Sequence, residues 1–76
     1  MTYEKYELWK TKNGKNTERI YFNGIAYDFV TMNDEWIAIF EVCNGEYIPM
    51  IQANDRKHAE SWCVLREPVK VAMTAI

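Results

Sequence analysis

The sequence predicts an α+β domain dominated by an antiparallel β meander: five strands, one short helix and a final strand, arranged as a small sheet or a partly open barrel. Three observations predict it. All three glycines follow an asparagine, at Asn13-Gly14, Asn23-Gly24 and Asn44-Gly45. A two-residue type I′ turn needs positive φ at both central positions, which Asn tolerates and Gly adopts without steric cost. Aromatic and β-branched residues dominate the segments between these pairs, and a helical period with start and stop residues occurs only near residues 54–65.

The first strand is expected over residues 3–12 (YEKYELWKTK), the second over 15–22 (KNTERIYF) and the third over 25–31 (IAYDFVT). A two-residue turn at Asn23-Gly24 sets Phe22 opposite Ile25, Tyr21 opposite Ala26 and Arg19 opposite Asp28. The last pairing places opposite charges across the ladder and marks its register. Met32-Asn33-Asp34-Glu35 reads as a polar connection to a fourth strand over 36–43 (WIAIFEVC). There Trp36, Ala38, Phe40 and Val42 share one face, and Ile37, Ile39 and Cys43 the other. Only Glu41 interrupts the apolar run, as expected of a central strand covered on both sides. The fifth strand, 46–52 (EYIPMIQ), contains Pro49, which has no N–H for a ladder and so belongs at an edge or a bulge.

In the helix, Asn54 or Asp55 can cap the N-terminus, and Ala59, Trp62 and Cys63 form an apolar stripe at i, i+3, i+4. Pro68 is expected to stop it, because proline disfavours helical geometry at Glu67. Residues 69–76 (VKVAMTAI) alternate and read as the last strand. The helix is expected across one sheet face or plugging one end of a barrel. With 76 residues the chain is expected to form a single domain over 1–76, and self-association as a homodimer is a further route to burial for so small a core.

Composition excludes several functions. The net charge of −2 disfavours a basic nucleic-acid binder. No run of about 18 apolar residues exists, so no membrane partner is expected. The charged start MTYEKYELWK lacks a signal-peptide core and suggests a cytoplasmic location. Cys43 and Cys63 read as small buried thiols kept reduced. With His58 they make three candidate ligands without a paired C-x-x-C, so no metal is expected. His58 and Ser61 lie three apart on the helix, with no orienting third group, oxyanion site or Gly-rich loop, so neither an enzyme nor a cofactor is expected.

Charge is unevenly distributed. Residues 1–19 and 56–76 each balance to +2, whereas residues 20–55 hold six acids and no Lys or Arg. In a meander these acids would gather on the middle strands and their turns. Asp28, Asp34, Glu35, Glu41 and Glu46 are the candidate docking charges, with Tyr27 and Tyr47 as aromatic anchors. The expected function is a non-catalytic protein-binding module, a small inhibitor or adaptor that docks an acidic face on a basic partner surface. Its size and charge are analogous to those of phage-encoded inhibitors of host defence nucleases, anti-CRISPR proteins among them, an analogy that rests on no motif. The alternative is a small-barrel single-stranded nucleic-acid binder. In it Tyr3, Tyr6, Trp9, Tyr21, Tyr27 and Tyr47 would stack bases while Lys5, Lys10, Lys12 and Lys15 follow phosphates. The overall acidity, and the need for those aromatics in a small core, weigh against it.

Overall fold

A computed structural model describes the backbone of residues 1–75 and the side chains of residues 1–66. Among the described residues the elements are α1 (Tyr3–Asn13), β1 (Gly14–Phe22), β2 (Ile25–Met32), β3 (Ile37–Cys43), β4 (Glu46–Ala53) and α2 (Arg56–Ala75). The strands form an open antiparallel meander in the order β1-β2-β3-β4. The α+β class fits the expectation, but the counts differ, with four strands and two helices where six strands and one helix were expected.

Two of the three Asn-Gly pairs are the expected turns. Asn23 and Gly24 have φ of 52° and 79°, and Asn44 and Gly45 have 51° and 77°, positive at both central positions as a type I′ turn requires. The resulting register pairs Phe22 with Ile25, Tyr21 with Ala26 and Arg19 with Asp28. β4 is an edge strand whose register shifts between the partners Ala38 and Phe40, opposite Pro49, so Pro49 is both at an edge and at a bulge.

Residues 3–12 are a helix, not a strand. Thr2 caps it, its Oγ1 accepting from the Lys5 N–H at 3.3 Å. Glu4 lies in the first turn, and Lys10 and Lys12 lie in the last, each favourable to the helix dipole. Tyr3, Tyr6 and Trp9 recur every third residue, placing them on one side of a helix, and the Glu, Lys and Leu between them are good helix formers. Asn13-Gly14 is therefore a helix-to-strand junction. Gly14 has φ of −101°, which any residue adopts, and is needed for space instead. A Cβ there would meet Val30 Cγ1 at 2.9 Å and the Lys10 carbonyl at 3.1 Å.

The final strand is likewise absent, since α2 continues through Pro68 to Ala75. Proline removes one hydrogen bond, to the carbonyl four residues earlier, which belongs here to solvent-exposed Val64. A helix already begun gains one backbone bond for each residue added, without the cost of a new nucleus. Asp55 is the cap, its Oδ1 accepting from the His58 N–H at 2.8 Å.

Each sheet face carries one helix. On one face Ala59 and Cys63 of α2 close over Tyr27, Phe29, Ile37, Ile39 and Ala53, with Trp62 half-buried beside them. On the other face Tyr6 and Trp9 of α1 close over Val30, Ala38, Phe40 and Tyr47. β3 is therefore central and covered on both sides, although Trp36 lies outside the strand and is exposed. Arginines pin α2 at two points. Arg56 bonds to Glu18 of β1 and lies 5.5 Å from the Phe29 ring. Arg66 bonds to the Tyr27 hydroxyl at 3.0 Å and to Glu41 at 2.9 Å.

The path of α1 leaves part of its face open. It starts beside β4 near the Asn44-Gly45 turn, where the Tyr47 N–H donates to the Met1 carbonyl at 2.8 Å. It ends at Gly14, which pairs with Met32 at the opposite end of the sheet and the opposite edge. A diagonal helix leaves two corners uncovered. One is an apolar cleft of about 220 Å³ along β4, lined by Trp9, Ala38, Phe40 and Pro49 among others. The other, over β1 and β2, is polar.

Candidate functional site

The polar corner is a cleft of about 300 Å³ lined by Tyr3, Tyr6, Glu7 and Lys10 of α1, Thr17 and Arg19 of β1, Asp28 of β2 and Tyr47 of β4. Strand alternation brings Thr17, Arg19 and Tyr21 to the same face. Register sets them opposite Val30, Asp28 and Ala26. Tyr21 extends the surface toward the hairpin end and is 68% exposed, and Tyr3 at the far rim is 57% exposed.

The floor is a buried ion network. Asp28 is only 2% exposed. Its Oδ2 accepts from the Tyr6 hydroxyl at 2.5 Å and from Arg19 Nη2 at 3.1 Å, and its Oδ1 accepts from Arg19 Nε at 2.6 Å. Burial so complete requires such pairing, because an uncompensated carboxylate in a low-dielectric site is costly. Burial, then the hydrogen bond and the negative charge of Asp28, push the Tyr6 phenol far above its ordinary range. The hydrogen bonds to Asp28, with support from the Tyr47 hydroxyl, hold the Arg19 guanidinium more firmly protonated than usual. The Tyr6 ring stacks on Tyr47 at 4.2 Å and meets Phe40 edge-on at 5.0 Å. Lys10 lies over it at 4.5 Å while bonding to Glu7 at 2.8 Å.

Of the seven residues predicted to dock a partner, the structure brings only Asp28 and Tyr47 together here, as floor and wall. Tyr27 and Glu41 sit on the other sheet face, where burial raises the Tyr27 phenol above its ordinary range against the opposing effect of Arg66. Asp34 and Glu35 lie on the connection between β2 and β3, and Glu46 lies beside the Asn44-Gly45 turn at the opposite end. The carboxylates do not form one face, and most have a cation. Asp28 has Arg19, Glu35 has Lys15 at 2.5 Å, and Glu41 has Arg66. Glu46 lies 3.7 Å from the Met1 ammonium. Asp34 instead accepts from the Trp36 N–H at 3.3 Å. The cations come from α1's neighbourhood, β1 and α2, outside the base-free stretch.

The aromatics proposed to stack bases are also dispersed. Tyr6, Tyr27 and Tyr47 are buried, Trp9 is half-buried, and both sheet faces carry helices. The lysine-bearing hairpin does not exist, because its first strand is α1. Cys63 is buried but Cys43 is exposed at the end of β3, beside the turn. His58 is exposed, its Nδ1 3.0 Å from Asn54 Oδ1. No group of acids, His and Cys that could hold a metal occurs among the described residues, nor is any helix among them long and apolar enough to cross a membrane.

Arg19 was not singled out as a docking residue from sequence, and Tyr3 and Tyr21 were named only as base-stacking candidates. For Arg19 the signal was its cross-strand pairing with Asp28, read for register rather than for a site. No family model, curated protein or solved structure matches the chain.

Proposed function

We propose that the chain is a non-catalytic protein-binding module that docks its partner on the uncovered corner beside α1. The observation that carries this reading is a guanidinium held by a buried carboxylate in a cleft that exposed Tyr3 also lines, with exposed Tyr21 two residues along β1 on the same sheet face. Tyrosine and arginine dominate binding hot spots, because each offers a large rigid surface with polar reach. A guanidinium fixed before contact loses little further freedom on binding. The inhibitor version, an acidic face occupying a basic partner surface, needs clustered and unpaired carboxylates. Here they are split between faces and ends, so the corner is the better-supported docking surface.

The test starts from the full chain as bait in a lysate, and purified captured partner is then titrated against variants. Tyr21→Ala is expected to raise Kd about tenfold or more, without changing the unfolding midpoint. The triple reversal Asp34→Lys, Glu35→Lys, Glu46→Lys is expected to change Kd less than about threefold, as rim charges do. The opposite ranking restores the acidic-face mechanism and overturns the corner. Capture of nothing above a control overturns the binding-module reading.

A further inference from the structure

Resting on that reading, we propose that the corner recognises a carboxylate carried by an acidic segment of the partner, with the outer edge of Arg19 as its receptor. Asp28 takes Arg19 side-on, at Nε and Nη2. A guanidinium has five N–H bonds in one plane, so Asp28 leaves Nη1 and the second Nη2 hydrogen on the other edge. The further acceptor acting on this guanidinium is the neutral Tyr47 hydroxyl, a weaker partner than an ionised carboxylate. No carboxylate of the described residues reaches that edge, and the Arg19 side chain is 42% exposed. Two parallel N–H bonds at that spacing match the two oxygens of a carboxylate.

The surroundings favour an acceptor-rich, singly charged guest. Thr17 and Tyr3, each carrying a hydroxyl, line the same cleft. The two carboxylates native to the cleft are already claimed, Asp28 by Arg19 and Glu7 by Lys10. An arriving carboxylate therefore meets donors and no uncompensated negative charge. A phosphate would bring about two charges to a site whose second cation, Lys10, is engaged by Glu7. The Arg19 plane is fixed from behind, because Asp28 is immobilised by the Tyr6 hydroxyl at 2.5 Å.

The experiment is a titration of the full chain with a blocked tetraglutamate peptide, followed by the NMR resonance of the Arg19 Nε–H and the backbone amides of Thr17 and Tyr47. A saturable shift confined to these groups is expected, with no comparable shift from the tetraglutamine counterpart or from inorganic phosphate. Arg19→Lys keeps the charge but lacks the fork, and is expected to weaken the peptide about tenfold or more. Lack of saturation, equal shifts at Lys5 and Lys12, an equal response to phosphate, or unchanged affinity in Arg19→Lys would each overturn the proposal. If Arg19→Lys does not fold, the wild-type titration decides alone. Failure with tetraglutamate while Tyr21→Ala still weakens partner binding removes the carboxylate and keeps the docking surface. Failure of both removes the surface itself.

Discussion

Replacing Tyr6 with Phe deletes one hydroxyl from the floor of the corner and leaves the ring in place. That ring is 1% exposed, and its stacking on Tyr47 and edge contact with Phe40 do not need the oxygen. What is lost is a 2.5 Å hydrogen bond to a buried carboxylate. Bonds to charged groups contribute about 1.5–3 kcal/mol. Asp28 keeps both contacts with Arg19, so a loss near ~2 kcal/mol is expected for Tyr6→Phe. In a domain of this size that corresponds to a fall in Tm of roughly 8–16 °C. Urea unfolding at pH 7 measures it, with the slope on denaturant unchanged.

A pH series separates the hydrogen bond from packing. The folded chain holds the Tyr6 proton above the ordinary phenol value of 10.0, whereas the unfolded chain releases it there. Stability from this group is therefore complete below pH 10 and is lost as pH rises beyond it, by about 1.4 kcal/mol per pH unit while the folded chain alone keeps the proton. Tyr6→Phe should remove that share of the alkaline slope and leave the share from Tyr27, whose phenol is also raised. A loss below about 0.5 kcal/mol at pH 7, together with an unchanged alkaline slope, would refute the claim that the Tyr6 hydroxyl supports Asp28.

Other perturbations probe the rest of the fold. Gly14→Ala should cost about 1–3 kcal/mol by overpacking, because its Cβ would meet Val30 Cγ1 at 2.9 Å. Adding Val30→Ala should recover part of that cost relative to Val30→Ala alone in the same urea assay. Gly45→Ala should cost about 1–2 kcal/mol for backbone strain at φ of 77°, and no second-site truncation should rescue it, since nothing lies within 4 Å of the new Cβ. Arg66→Met should cost about 1–3 kcal/mol, measured as a lower urea midpoint. It leaves Glu41 without its cation and removes the guanidinium 5.0 Å from Trp62. Adding Glu41→Gln should restore part of the loss, and a purely additive double variant would count against the pair.

The two hairpin turns, the Arg19–Asp28 register, the bulge at Pro49 and the Asp55 cap were all legible in the sequence. Each depends on dihedral preference or on residues a few positions apart. Residues 3–12 misled because tyrosine and tryptophan suit strands, and Asn13-Gly14 matches a hairpin turn. The contrary signals were the Thr2 cap, the three-residue spacing of Tyr3, Tyr6 and Trp9, and the Glu and Lys placed for the helix dipole. The role of Gly14 could not be read locally, because the atom it makes room for belongs to Val30, sixteen positions along the chain.

Charge shows the same division. The base-free stretch is a property of the chain, and a meander alone would have made it a face. Tertiary structure decided otherwise: beyond the Arg19–Asp28 pair that hairpin register already set, Lys15 arrives from β1 and Arg66 from α2 to meet Glu35 and Glu41. Coulomb attraction acts through space, so whether an acid stands alone depends on which elements fold beside it. The direction in which α1 crosses the sheet was equally beyond sequence reach, and it is what leaves Arg19 and the neighbouring Tyr21 of β1 uncovered.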